Sequence, residues 1–161
     1  MNREVFIKFV ERSQERLRKF LVGVCVGDKS LADDIAQEAY LKAYLSNKIP
    51  LEFDQFQPWI TKIAYNTFLN HLRSKKINIG LDNVKEMESQ QKTDEVFQYE
   101  NLYRALDSLP LRERSVVVLY YMEGYAMKEI SKILEISEDA VRQGVSRGRK
   151  RLKMIMDKSN I

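Results

Sequence analysis

Ala126–Leu152 reads AMKEISKILEISEDAVRQGVSRGRKRL, and this stretch decides the class of fold. At about 100° per residue, Ala126, Ile130, Ile133 and Leu134 share one face of a short helix. A turn follows, and Ser137 is a natural N-cap for a second helix, with Glu138 and Asp139 in the first turn where the helix dipole favours acids. In that second helix Val141, Val145, Gly148, Leu152 and Ile155 form a packing seam. Asp139, Arg142, Gln143, Ser146, Lys150 and Lys153 fall opposite, with Arg147 at the margin. From Arg142 to Lys153 there is no acid. A cationic helix entered through a turn from a shorter helix is the layout for placing a helix in a DNA major groove. Arg and Gln can make paired hydrogen bonds to guanine and adenine edges, whereas Lys favours phosphates.

Working outward, the remaining chain has helical periodicity throughout and no segment of strand period. Arg3 to Val26 predicts one helix, ended by Gly27-Asp28. Ser30 to Asp33 resembles a capping box that opens a second helix, reaching about Leu45. Pro58 suits the first turn of a third helix, which runs to about Lys76. Val96 to Leu106 and Leu111 to Glu123 are two further helices, separated by Leu109-Pro110, with Gly124 ending the second. The expected fold is all-α: two small helical domains, residues 1–76 and 96–161, joined by a flexible acidic linker over 77–95, the C-terminal domain containing a helix-turn-helix.

The charge is distributed to match. The chain has 161 residues and a net charge of +4, but residues 77–100 carry 2 basic and 6 acidic residues, while 1–76 carry 13 and 9 and 101–161 carry 12 and 8. Two basic parts about an acidic connector suggest two contacts with a polyanion. One His and one Cys cannot build a usual metal cluster or a disulfide, and neither a phosphate-cradling Gly-rich loop nor a nucleophile elbow is present. No enzyme, metal or cofactor is expected. Cys25 reads as a buried small hydrophobe, and His71, beside Ile60, Ala64 and Phe68, as a hydrogen-bonded core histidine. Phe20 to Val26 starts too far into the chain for a signal peptide and is too short to span a membrane, so stable membrane insertion is not expected and a cytoplasmic location is.

Two further surfaces stand out. Asp34, Gln37, Glu38 and Leu41 form a stripe at i, i+3, i+4 and i+7 on the second helix, suited to docking a partner helix or simply to solvent. On the third, Lys62, Asn66, Asn70 and Arg73 lie outside, with Phe53, Phe56 and Trp59 upstream. Cations beside aromatics suit an unpaired nucleic-acid strand, although aromatics at this spacing also build cores.

Together these residues resemble the sigma-70 family of bacterial RNA polymerase initiation factors, and within it the small extracytoplasmic-function (ECF) group. SLADDIAQEAYLKAY is similar to the family's polymerase-binding helix, FQPWITKIAYNTFLNHLRSKK to its melting and −10-recognition segment, and Leu102 to Leu152 to its −35-recognition domain. The resemblance implies that Asp33, Asp34, Gln37, Glu38 and Leu41 meet the β′ clamp helices of core RNA polymerase. It implies that Phe53, Phe56, Lys62, Asn66, Asn70 and Arg73, with the loop Phe53 to Gln57, handle the −10 element. Arg142, Gln143, Ser146, Arg147 and Lys150 would read the −35 element of promoter DNA. It also implies contact with the polymerase β flap, an anti-sigma factor as partner, and no cofactor. Three residues depart from the family's pattern: Tyr65 and Gly144 stand where Arg is common, and Glu135 where a turn Gly is frequent. If that turn needs a positive φ, Glu135 costs about 1 kcal/mol there. The rival readings are a helix-turn-helix regulator that never binds polymerase, and a helical adaptor.

Overall fold

The computed structural model describes residues 1–79 and 94–159, with side chains placed for 1–75 and 100–157. The expected linker, 77–95, therefore lies almost wholly outside the described residues. Among the described residues all regular structure is helical: α1 (Arg3–Val24), α2 (Lys29–Tyr44), α3 (Phe53–Ile79), α4 (Asp94–Asp107), α5 (Leu111–Val117), α6 (Met127–Leu134) and α7 (Glu138–Ser159). A π-helical turn, Val118–Met122, continues α5. No described helix is long and apolar enough to cross a membrane.

The helix ends follow local chemistry, with three corrections. Asp28, not Ser30, caps α2: its carboxylate accepts from the Leu31 amide at 3.0 Å. α3 starts five residues before Pro58, so the proline lies inside the helix at the cost of one backbone hydrogen bond. The upstream turn is held by aromatic packing: Phe56 lies 5.1 Å from Phe9 and 5.7 Å from Trp59 between ring centres, and Phe53 lies 5.4 Å from Phe9. The helix expected over Leu111 to Glu123 is α-helical only to Val117, and its last turn widens so that the Glu123 amide donates to the Val118 carbonyl at 3.0 Å. Gly124, at φ 73°, ends it as expected.

This widened helix is the hub of the fold. Val116, Val117, Val118 and Leu119 are all buried, which four consecutive residues can achieve only if neighbours surround the helix. Three neighbours reach it through glycine. A Cβ on Gly144 would stand 3.0 Å from Val116, one on Gly148 2.4 Å from Val117, and one on Gly23 2.9 Å from Val118. Gly144 and Gly148 belong to α7; Gly23 belongs to α1. Arg114 reinforces the junction: it donates to the Val24 carbonyl at the end of α1 and the Leu106 carbonyl near the end of α4, each at 3.0 Å. Leu17, Phe20 and Leu21 of α1 share one apolar core with Val116 to Leu119 and with Ile130 and Val141 of the helix-turn-helix. The two helical regions are thus in contact, which their separate periodicities did not reveal.

Candidate nucleic-acid and polymerase interfaces

The helix-turn-helix is built as its sequence suggests. The Glu129 carboxylate accepts from the Ala126 amide at 3.1 Å, and Ser137 Oγ caps α7 by accepting from the Ala140 amide at 3.0 Å. Glu135 closes α6 in the left-handed conformation, φ 56° and ψ 48°, so the turn does need a positive φ and this chain meets it without glycine. Val141 and Val145 are buried while Arg142, Gln143, Ser146, Arg147 and Lys150 are all exposed on one side of α7. Arg142 is paired with Asp139 one turn earlier, and Arg151 Nε lies 2.9 Å from Glu113 on the packed flank. Gly144 faces Val116 in the core, away from the open side of α7.

On α3, Asn66, Asn70 and Arg73 are exposed and near one another, with Arg73 donating to the Asn70 side-chain oxygen at 3.1 Å. Phe56 is a correction. It is 0% exposed, packed among Phe6, Phe9 and Trp59, and so cannot stack on a base without leaving the core. Phe53 is half-buried beneath the Arg12 guanidinium, 3.9 Å from the ring centre. The expected loop Phe53 to Gln57 is helix, and Gln57 is buried. Lys62 is ion-paired with Glu135 at 2.8 Å. Tyr65 is buried, packed near Phe20 and Phe68, and its hydroxyl accepts from Ser115 Oγ at 3.0 Å.

The stripe on α2 is open and braced from behind. Asp34, Gln37 and Leu41 are exposed, and Leu41 at 60% is a large apolar side chain facing water. Asp33 is held by Arg18 of α1 and accepts from Gln37 at 3.0 Å. Glu38 is held by two cationic or potentially cationic groups: His71 Nε2 at 3.2 Å on one oxygen and Lys42 Nζ at 3.2 Å on the other. The hydrogen bond from His71 holds the Glu38 carboxyl below its usual range. Lys42 also donates to Thr67 Oγ1 at 3.1 Å, so α3 positions an acid on α2. His71 is hydrogen-bonded as expected but is not a core residue: with Glu38, Asn70 and Ser74 it lines a groove of about 290 Å³. Sequence periodicity could not find Thr67 or Lys42, because their partners are 25 residues apart. Cys25 is buried as expected, and burial pushes its thiol up to about 12.

A helix-turn-helix with an open basic face, preceded by a three-helix unit with an acidic stripe and an amide-rich helix, defines a DNA-binding protein with a second docking surface. The Sigma-70 region 2 profile matches residues 9–77, and the Sigma-70, region 4 profile matches residues 99–152. The chain is 29% identical over 136 residues to the ECF RNA polymerase sigma factor SigM of Bacillus subtilis (strain 168), covering 81% of this chain and 83% of the relative. It is 30% identical over 146 residues to SigW, another ECF RNA polymerase sigma factor of that strain, covering 80% and 76%. Among solved structures, the sigma factor RpoE in complex with the anti-sigma factor NepR from Bartonella quintana superposes with a TM-score of 0.78 at 19% identity, covering 96% of this chain and 98% of that one. CnrH, solved with the cytosolic domain of CnrY, superposes at 0.74 and 20% identity, covering 98% and 90%.

The chain belongs to the sigma-70 family, in its ECF group. It is a promoter-directing transcription initiation factor whose partners are core RNA polymerase and promoter DNA, and it is not an enzyme. The stand-alone regulator and the adaptor are thereby set aside.

Proposed function

We propose a division of labour within the chain. Residues 1–76 bind core polymerase and the melted −10 element, 77–95 connect, and 96–161 read the −35 element. Asp33, Asp34, Gln37, Glu38 and Leu41 face the polymerase. Lys62, Asn66, Asn70 and Arg73, with Phe53 at the edge, face the −10 strand. Arg142, Gln143, Ser146, Arg147 and Lys150 face the −35 duplex. The observation that carries this reading is α7 itself: five polar and basic side chains open to solvent on one side, with Val141, Gly144, Val145 and Gly148 sealed into the core on the other. Such a helix can enter a major groove without disturbing its own packing. The protein would act in the cytoplasm, and an anti-sigma factor would hold it, as NepR and the cytosolic domain of CnrY hold the two solved sigma factors named above.

The test separates base contacts from phosphate contacts. Arg142→Ala should cost about 1–3 kcal/mol on the preferred −35 sequence and relax discrimination at one or two positions. Lys150→Ala should weaken all sequences alike and lower the salt slope by about 1. The measurement is holoenzyme binding to a −35 library at two salt concentrations. An unchanged preference in Arg142→Ala would reduce α7 to an electrostatic clamp.

A further inference from the structure

We propose that the face of α3 bearing Lys62 and Tyr65 is a docking surface for the chain's own C-terminal half, and that the docked form is a closed resting state which must open before both promoter elements can be held. The inference rests on the reading of α3 and α7 as the two promoter-facing helices.

Four polar contacts close the face. Lys62 Nζ lies 2.8 Å from Glu135 Oε1, in the turn of the helix-turn-helix. Ser115 Oγ donates to the Tyr65 hydroxyl at 3.0 Å. Thr61 Oγ1 lies 3.3 Å from the Tyr125 hydroxyl. Arg16 of α1 donates to the Glu123 carbonyl at 2.7 Å, and its guanidinium lies 4.0 Å from the centre of the Tyr125 ring. Two of the residues involved, Tyr65 and Glu135, are departures from the family's pattern. Tyr65 replaces a cation that would otherwise sit on this buried face. Glu135 brings an acid to a turn where glycine would offer none.

The closed form cannot read two elements at once. Elements centred near −10 and −35 lie about 25 base pairs apart, or about 85 Å along duplex DNA at about 3.4 Å per pair. In the closed chain α3 and the helix-turn-helix touch at Lys62 and Glu135. From Lys62 to Arg73 is about 16 Å of helix, and from Glu135 to Lys150 at most about 23 Å, at about 1.5 Å per residue. Even placed end to end, with the two paired side chains between them, these spans reach only about 50 Å. Lys62 is also occupied by an acid in this form, where a phosphate would have to displace Glu135. The contact is built to release: the Lys62 and Glu135 side chains remain 40% and 64% exposed, and ion pairs that open to water are weak.

A lock and a release test this. A Cβ at Gly23 would lie 3.7 Å from Val118 Cβ, a disulfide spacing, so Gly23→Cys/Val118→Cys can weld α1 to the π turn without touching any proposed contact residue. The variant is made with Cys25→Ala in the full chain. With core polymerase, on genomic fragments selected by the wild-type chain, the oxidised protein should give at least about ten-fold less transcript than the same protein reduced. Equal yields would overturn the proposal. Glu135→Gly/Tyr65→Phe keeps the turn's φ and the buried ring while removing one ion pair and one hydrogen bond. It should lower the concentration that half-saturates transcription about three- to ten-fold; an unchanged or higher value would also overturn it. Absence of promoter-specific transcript with the wild type marks failure of the functional reading, whereas a normal wild type with an indifferent lock marks failure of the closed state alone.

Discussion

Gly144 stands where relatives often carry Arg, so restoring a side chain there looks like a gain in both helix propensity and charge. The packing says otherwise. A Cβ at this position would meet Val116 Cγ2 at 3.0 Å and its Cβ and Cγ1 at 3.2 Å each. Carbon pairs prefer about 3.5–4.0 Å. Val116 is 0% exposed and β-branched, so it has one good rotamer in a helix and cannot swing away. Overpacking of this kind costs about 1–3 kcal/mol, against about 1 kcal/mol returned by replacing glycine with alanine in a helix. Gly144→Ala should therefore lower stability by up to about 2 kcal/mol. Gly144→Arg should lower it at least as much and gain no DNA affinity, because its Cβ leaves the backbone toward Val116. Urea unfolding of the full chain reads this as a fall in midpoint at constant slope. In a Val116→Ala background the obstacle is gone, and Gly144→Ala should instead stabilise by about 1 kcal/mol. If Gly144→Ala stabilises the otherwise wild-type protein by that amount, the α5–α7 contact is looser than described and the reasoning fails.

Three other outcomes follow from the same geometry. The Glu123 side chain is only 4% exposed, and burial raises its carboxyl to about 7 from 4.5 despite nearby Arg16 and Lys19. Its folded value exceeds its unfolded value, so stability should fall as pH rises from about 4.5 to 7, by up to about 3 kcal/mol, and Glu123→Gln should flatten that slope in urea midpoints taken across the range. Glu38 has the opposite sign: its depressed carboxyl contributes stability above pH 4.5 that is lost as pH falls through its folded value. His71→Ala should return the Glu38 titration toward its ordinary range in carboxyl-carbon NMR; an unmoved titration would remove His71 from its role. Asp34→Lys with Glu38→Lys should abolish co-purification with core polymerase, because like charges across a docked interface cost several kcal/mol; undiminished co-purification would exclude this stripe as the docking surface.

The sequence by itself determined the helices, the order of the parts and the open face of α7. Those are local properties. A 3.6-residue period, a Ser137 cap and an uninterrupted basic run are written along the chain and survive whatever the helices pack against. The need for a positive φ at Glu135 was legible for the same reason. What periodicity could not supply was the identity of the neighbour on each buried face. Phe56 has the composition of a stacking residue and the position of a core one, and only its contacts with Phe6 and Phe9 decide between them. His71 lies on an apolar stripe, but α2 brings Glu38 to its edge and makes it a polar brace. Pro58 is a helix-starting residue by local rule, overridden by an aromatic cluster assembled from two helices. Tyr65 and Gly144 read as missing cations, yet one bonds Ser115 and the other makes room for Val116. Each of these depends on a partner at least 28 residues away, with the Tyr65–Ser115 pair 50 apart. A contact at that separation exists only once the chain has folded back on itself, so tertiary structure alone decides it.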